Sequence, residues 1–113
     1  MADMQLDEFA RVTLNGSGNG TVSLGPRNSR QVWNVTNLAV FTTSTVNVPT
    51  ATAYHGTPSP GSSLGGTYDG NNDSTGIAAM LYPGQQLSVQ WTGGDAGAVA
   101  TVSLYGTLEI LGS

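Results

Sequence analysis

From residue 87 to residue 110 the chain alternates apolar and polar residues with a period of two, interrupted once by the glycine-rich stretch 93–97. Leu87, Val89 and Trp91 share one parity, with Ser88 and Gln90 on the other. Beyond the glycines, Ala98, Ala100, Val102, Leu104, Leu108 and Ile110 form an apolar series. Thr101, Ser103, Thr107 and Glu109 face the other way, joined by Val99 and Tyr105. Side chains alternate across a strand but return every three to four residues on a helix, so only a strand buries this series on one face. The two runs and their short glycine loop predict a β-hairpin, with Trp91 in the core. The second run predicts a long strand that Gly106 bends.

The rest of the chain reads the same way. Residues 9–14 predict a first strand, with Ala10, Val12 and Leu14 in phase, and residues 15–20 read as a hairpin loop. Residues 21–24 make a short strand, stopped by Gly25 and Pro26. Between 31 and 40 the apolar parity changes, from Trp33 and Val35 to Leu38 and Val40. Such a change within one apolar run means a bulge, a bend, or two strands meeting near residues 34–37. Residues 50–55 form another strand, with Ala51 and Ala53 on one face. The Gly- and Pro-rich segment 56–72 is the longest irregular stretch, with a brief strand around Thr67 and Tyr68. A further strand covers 77–81, before Pro83-Gly84 makes a type II turn.

Composition supports the same class. Gly, Ser, Thr, Asn and Gln make up nearly half of the 113 residues, lysine is absent and only 9% of the chain is charged. Strand and turn formers dominate, and helix formers are scarce. The expected fold is all-β: a single antiparallel β-sandwich, jelly-roll-like, over residues 10–113, preceded by a short N-terminal arm over residues 1–9. A chain of this length buries one modest core, which excludes a multidomain enzyme.

Charge and cysteine content exclude further classes. With no cysteine there is no disulfide and no thiolate metal site. Three arginines against seven acids give a net charge of -4, too little positive charge for a phosphate track, so no nucleic-acid partner is expected. No apolar run approaches the roughly 20 residues of a membrane span, and the first residues lack the pattern of a signal peptide.

Few residues carry candidate chemistry. His55 is the one histidine, and no Gly-x-Ser-x-Gly elbow accompanies it, so no catalytic residues and no enzyme activity are expected. Asp69, Asn71 and Asp73 occupy positions 1, 3 and 5 of a calcium loop, three oxygen ligands suited to a hard cation. The pattern then fails, with Ser74 where glycine belongs and Met80 where the bidentate Glu belongs. No cofactor motif is present, and a polar turn is the competing reading of these acids. Trp33, Trp91, Phe41 and the tyrosines are candidates for an aromatic platform.

Other residues point to a partner surface. The arm gathers Asp3, Asp7 and Glu8 with the apolar Met4, Leu6 and Phe9. The sequence leaves open a short helical turn or an extended arm, and an extended arm would add a strand to an exposed sheet edge of a partner or neighbouring subunit. Arg27 and Arg30 flank a turn, where they can pair with acids on a partner.

Several segments together resemble small virion accessory proteins of tailed actinobacteriophages. They are Gly18-Asn19-Gly20-Thr21-Val22 with Leu24-Gly25-Pro26; Pro49-Thr50-Ala51 leading to Tyr54; Gly65-Gly66-Thr67-Tyr68-Asp69-Gly70 with Asn72-Asp73-Ser74-Thr75; Pro83-Gly84-Gln85; and Val89-Gln90-Trp91-Thr92-Gly93-Gly94 running into residues 100–106. The resemblance spans residues 15–107 and implies a β-sandwich without catalytic residues. It implies a capsid decoration (minor capsid) protein on the virion surface, bound to the major capsid protein as a homo-oligomer, a trimer for instance. The alternative it leaves open is a minor tail or fibre-associated module that binds host glycans.

Overall fold

The structure, a computed structural model, describes residues 3–26, 30–56, 63–69 and 72–110. These residues form eight strands: β1 (Asp3–Thr13), β2 (Gly20–Leu24), β3 (Gln31–Thr42), β4 (Thr50–His55), β5 (Ser63–Asp69), β6 (Asn72–Leu81), β7 (Leu87–Thr92) and β8 (Val99–Ile110). They build two four-stranded antiparallel sheets, ordered β1-β8-β3-β6 and β2-β7-β4-β5.

That order has a simple origin. The chain doubles back at the β4–β5 hairpin, and the remaining strands pair outward from it: β3 with β6, β2 with β7, β1 with β8. Successive pairs fall in opposite sheets, which is the wrapped ribbon of a jelly roll. The expected all-β sandwich is therefore the observed fold.

Several expected boundaries and pairings change. The first strand begins at Asp3 rather than near residue 9, and the segment read as an arm runs in register with β8, from Asp3 opposite Glu109 to Phe9 opposite Ser103. The 15–20 and 93–97 loops do not close hairpins. Each carries the chain from one sheet to the other, since β1 pairs with β8 and β2 with β7. Alternation fixes which face of a strand is buried but not its partner, and a glycine loop of five or six residues easily spans the ~10 Å between sheets. The segment read as irregular, 56–72, contains all of β5, longer than expected, and β6 begins at Asn72.

The parity change in the third strand is a β-bulge. β3 is one strand of 12 residues whose register against both β8 and β6 shifts between Val35 and Asn37. Inserting Thr36 as the extra residue lets Trp33 and Val35 on one side, and Leu38 and Val40 on the other, all face inward. The Pro83-Gly84 turn also has its expected geometry: Gly84 has a φ of 87°, and the Gln85 N–H donates to the Tyr82 carbonyl at 2.9 Å.

The core lies between the sheets. Val35, Leu38, Val40, Ala100, Val102 and Leu104 from the first sheet meet Ala51, Ala53, Leu87, Val89 and Trp91 from the second. Trp91 is wholly buried, as its parity predicts. The sheets differ in length: strands of the first have 10 to 12 residues, those of the second 5 to 7. At about 3.3 Å per residue the first sheet is nearly twice as long as the second, consistent with the 50 × 25 × 21 Å outline of the molecule.

Candidate functional site

The outer face of the first sheet carries three exposed aromatic side chains, Phe9, Phe41 and Tyr105. Across β1, β8 and β3, one register row reads Asp7, Tyr105, Asn37, the next Phe9, Ser103, Ala39, and the next Arg11, Thr101, Phe41. Neighbouring strands lie about 4.8 Å apart, so these nine residues form one small patch. Phe9 is 57% exposed, Phe41 51% and Tyr105 40%. The Arg11 guanidinium sits 5.2 Å from the centroid of the Phe9 ring, a cation–π contact that holds both side chains on this face. Serine, threonine and alanine separate the aromatics, leaving them accessible. Aromatic and Arg side chains set among small polar residues, with Asp7 at one edge, are the composition of a protein-binding patch.

The residues assigned to a partner surface from sequence are spread apart. Phe9 belongs to this patch. Leu6 does not: it is 2% exposed and packs in the core, because its even parity turns it toward the second sheet. Met4 shares that inward parity near the start of β1 but stays half exposed. Arg30 is exposed just before β3, and Arg27 lies outside the described residues. Phe41 and Tyr105 were not singled out as partner residues. Tyr105 had a signal, its odd parity in an apolar-even strand, whereas the bulge obscured the outward parity of Phe41.

The three calcium candidates do not all lie among the described residues. Asp69 ends β5 and Asp73 lies within β6, in opposite sheets, and Asn71 lies outside the described residues. Positions that would complete a calcium loop, from Asp73 to Met80, instead run along β6 paired with β3. A calcium loop must curl around its ion, which an extended paired strand does not do.

A different acid is tied down. Asp95, in the β7–β8 connection, accepts backbone N–H groups of Thr45, Val46 and Asn47 at 2.8–3.0 Å and the Asn47 amide at 3.0 Å. These donors, Val46 first, hold its carboxyl far below the usual carboxylate range. The Asp95 N–H in turn donates to Ser44 Oγ at 2.9 Å, and Ser44 Oγ donates to the Asn47 carbonyl. The β3–β4 loop is thereby fixed, with Val46 and Val48 projecting into solvent at 81% and 63% exposure. Gly18 and Gly94 join the β1–β2 loop to the same cluster: the Gly94 N–H donates to the Gly18 carbonyl at 3.0 Å, and a Cβ on Gly18 would strike Gly94.

At the opposite end of the second sheet lies an open cleft of about 570 Å³. Ser23 of β2, Ser88 of β7, His55 and Gly56 at the end of β4, and turn residues 84–86 line it. Ser88 Oγ donates to the Gly56 carbonyl at 2.7 Å and lies 2.8 Å from Ser23 Oγ. His55 Nε2 is 3.1 Å from the Met80 carbonyl. The described partner of the imidazole is therefore a backbone carbonyl rather than a serine hydroxyl, unlike the base–nucleophile contact of a hydrolase.

Compared with known proteins, the chain matches no family model and no curated protein. Its chemistry must be read from the surfaces alone. The aromatic patch offers docking, the pinned loop offers rigidity, and the cleft offers neutral hydrogen bonding.

Proposed function

We propose that this chain is a structural virion protein, a capsid decoration protein that docks on the outer surface of a phage head and reinforces it. The observation that carries the proposal is the solvent-facing patch of the first sheet that bears Phe9, Arg11, Phe41 and Tyr105 beside Asp7. A protein that strengthens a shell needs a rigid domain and a surface that repeats the same contact many times. It needs no reaction, and it acts without a catalytic site or cofactor. Aromatic anchors desolvate on docking and supply most of the binding energy at a protein interface. The low charge keeps docking insensitive to salt, because few contacts are screened ion pairs.

The partner is the major capsid protein, and self-association into a trimer or another closed ring places several patches on one capsomer junction. The jelly-roll order agrees with this role only by analogy, since the fold hosts many functions. The resemblance read in the turn motifs to actinobacteriophage accessory proteins points the same way. Cryo-electron microscopy of particles with and without the gene tests the proposal. Density lost from the head surface, with shells more easily disrupted by heat, is the expected result. Density lost from the tail, or none lost, overturns it.

A further inference from the structure

We propose that the cleft at the end of the second sheet binds a neutral saccharide. The inference stands on the cleft alone and does not depend on the virion role. Its volume of about 570 Å³ lies within the range of small-molecule sites. No lining residue among those described carries a carboxylate, ammonium or guanidinium group. Among the described lining residues a phosphate or carboxylate ligand would find no countercharge, and a cation would find no anionic oxygen.

What the lining does offer is a mixture of neutral donors and acceptors. The Ser88 proton is committed to the Gly56 carbonyl, so Ser23 Oγ donates to Ser88 Oγ and keeps its lone pairs for a ligand. The Met80 carbonyl accepts a proton from His55 Nε2, and in the tautomer that carries its one proton there Nδ1 is an acceptor. Gln85 Oε1 accepts the Tyr82 N–H at 3.0 Å, so its amide N–H groups remain as donors. Sugar hydroxyls both donate and accept, and such a set matches them. An apolar ligand would strip water from these groups without replacing its hydrogen bonds.

Two backbone contacts keep the lining in place. The Tyr82–Gln85 turn, closed by the Gln85 N–H donating to the Tyr82 carbonyl at 2.9 Å, holds Gly84 and Gln85 in the lining. The wall is fixed in advance by the Gly56 N–H, which donates to the Gln86 carbonyl at 2.7 Å, so little ordering is lost on binding.

The test is backbone-amide NMR of the full chain titrated with glucose, galactose, mannose, N-acetylglucosamine and their short oligomers, with sialic acid and glucose 6-phosphate as charged probes. The expected result is saturable millimolar binding of at least one neutral sugar, with shifts centred on Ser23, His55 and residues 84–88. Ser23→Ala and Gln85→Ala should each weaken it by about tenfold with a melting temperature close to the parent's. Absence of binding by every neutral sugar overturns the proposal. So does preference for the charged probes, or binding that both variants leave intact.

Discussion

Gly106 on β8 lies against the carbonyl oxygen of Asn34, so closely that a Cβ at position 106 would collide with it. The clash falls where β3 bulges: Val35 is opposite Gly106, and Asn37 is opposite Tyr105. The bulge presses the β3 backbone into space that only glycine leaves free. Gly106→Ala should therefore destabilise the domain by about 2–3 kcal/mol, as overpacking at a tight contact does. Urea unfolding measures it, and a change near zero would show that β3 moves away at no cost.

That contact also marks the limit of what was legible in the sequence. The parity change between Val35 and Leu38 pointed to a bulge or a break, and Gly106 read as a bend; only the structure places one opposite the other. Burial was readable wherever alternation was clean, as at Ala51, Ala53, Val89, Trp91, Val102 and Leu104. Pairing was not. The short glycine loops at 15–20 and 93–97 look like hairpin loops, yet each crosses between sheets, because partner choice depends on the whole ribbon. Residues 3–9 were obscured by Glu8, a charged residue at an inward-parity position on an edge strand, a device that guards open edges against pairing. Of the candidate surfaces, the Asp95 cluster was invisible, since its donors lie some 50 residues away in sequence and are backbone groups.

Asp95 ties stability to acid. Its carboxyl is more acidic in the folded chain than in the unfolded one, where it is near 3.9. Its contribution is thus complete above about pH 5 and declines as pH falls below the unfolded value toward the folded one. Asp95→Ala should melt at a lower temperature than the parent at pH 7. The gap between the two should narrow steadily in thermal scans from pH 4 downward. A gap independent of pH would mean that the ionised form is not what holds residues 45–47.

Both tryptophans are removed from water, Trp91 fully and Trp33 to 2% exposure. Native emission should be blue-shifted relative to the urea-unfolded chain and poorly quenched by iodide. Trp91→Ala should cost about 3–5 kcal/mol, a large share of the stability of a domain this size. Emission already at the unfolded wavelength in native buffer would contradict the placement of both rings.

The aromatic patch separates docking from folding. Phe41→Ser and Tyr105→Ser replace exposed side chains, so each should change stability by less than about 1 kcal/mol. If the patch docks on the capsid, each should weaken binding of the purified protein to undecorated heads by roughly 5–30-fold, corresponding to about 1–2 kcal/mol for an anchor. Sedimentation of heads with labelled protein reads the effect. Unchanged affinity in the double variant would move the docking surface elsewhere.

Deleting residues 1–9 is the obvious way to ask whether the N-terminal segment contacts a partner, but β1 makes that experiment ambiguous. The deletion removes most of the strand that covers one edge of β8, leaving only residues 10–13 of it, and takes Leu6 out of the core. Leu6→Ala alone should cost about 2–5 kcal/mol. The truncated chain should therefore melt far below the parent or aggregate through its newly exposed β8 edge. Loss of head binding by such a chain would report unfolding rather than a lost contact. Phe9→Ser leaves Leu6 and the β1–β8 ladder in place, so circular dichroism should show a native melt while head binding falls. A truncated chain that melts like the parent would instead mean that residues 3–9 add nothing to the sheet.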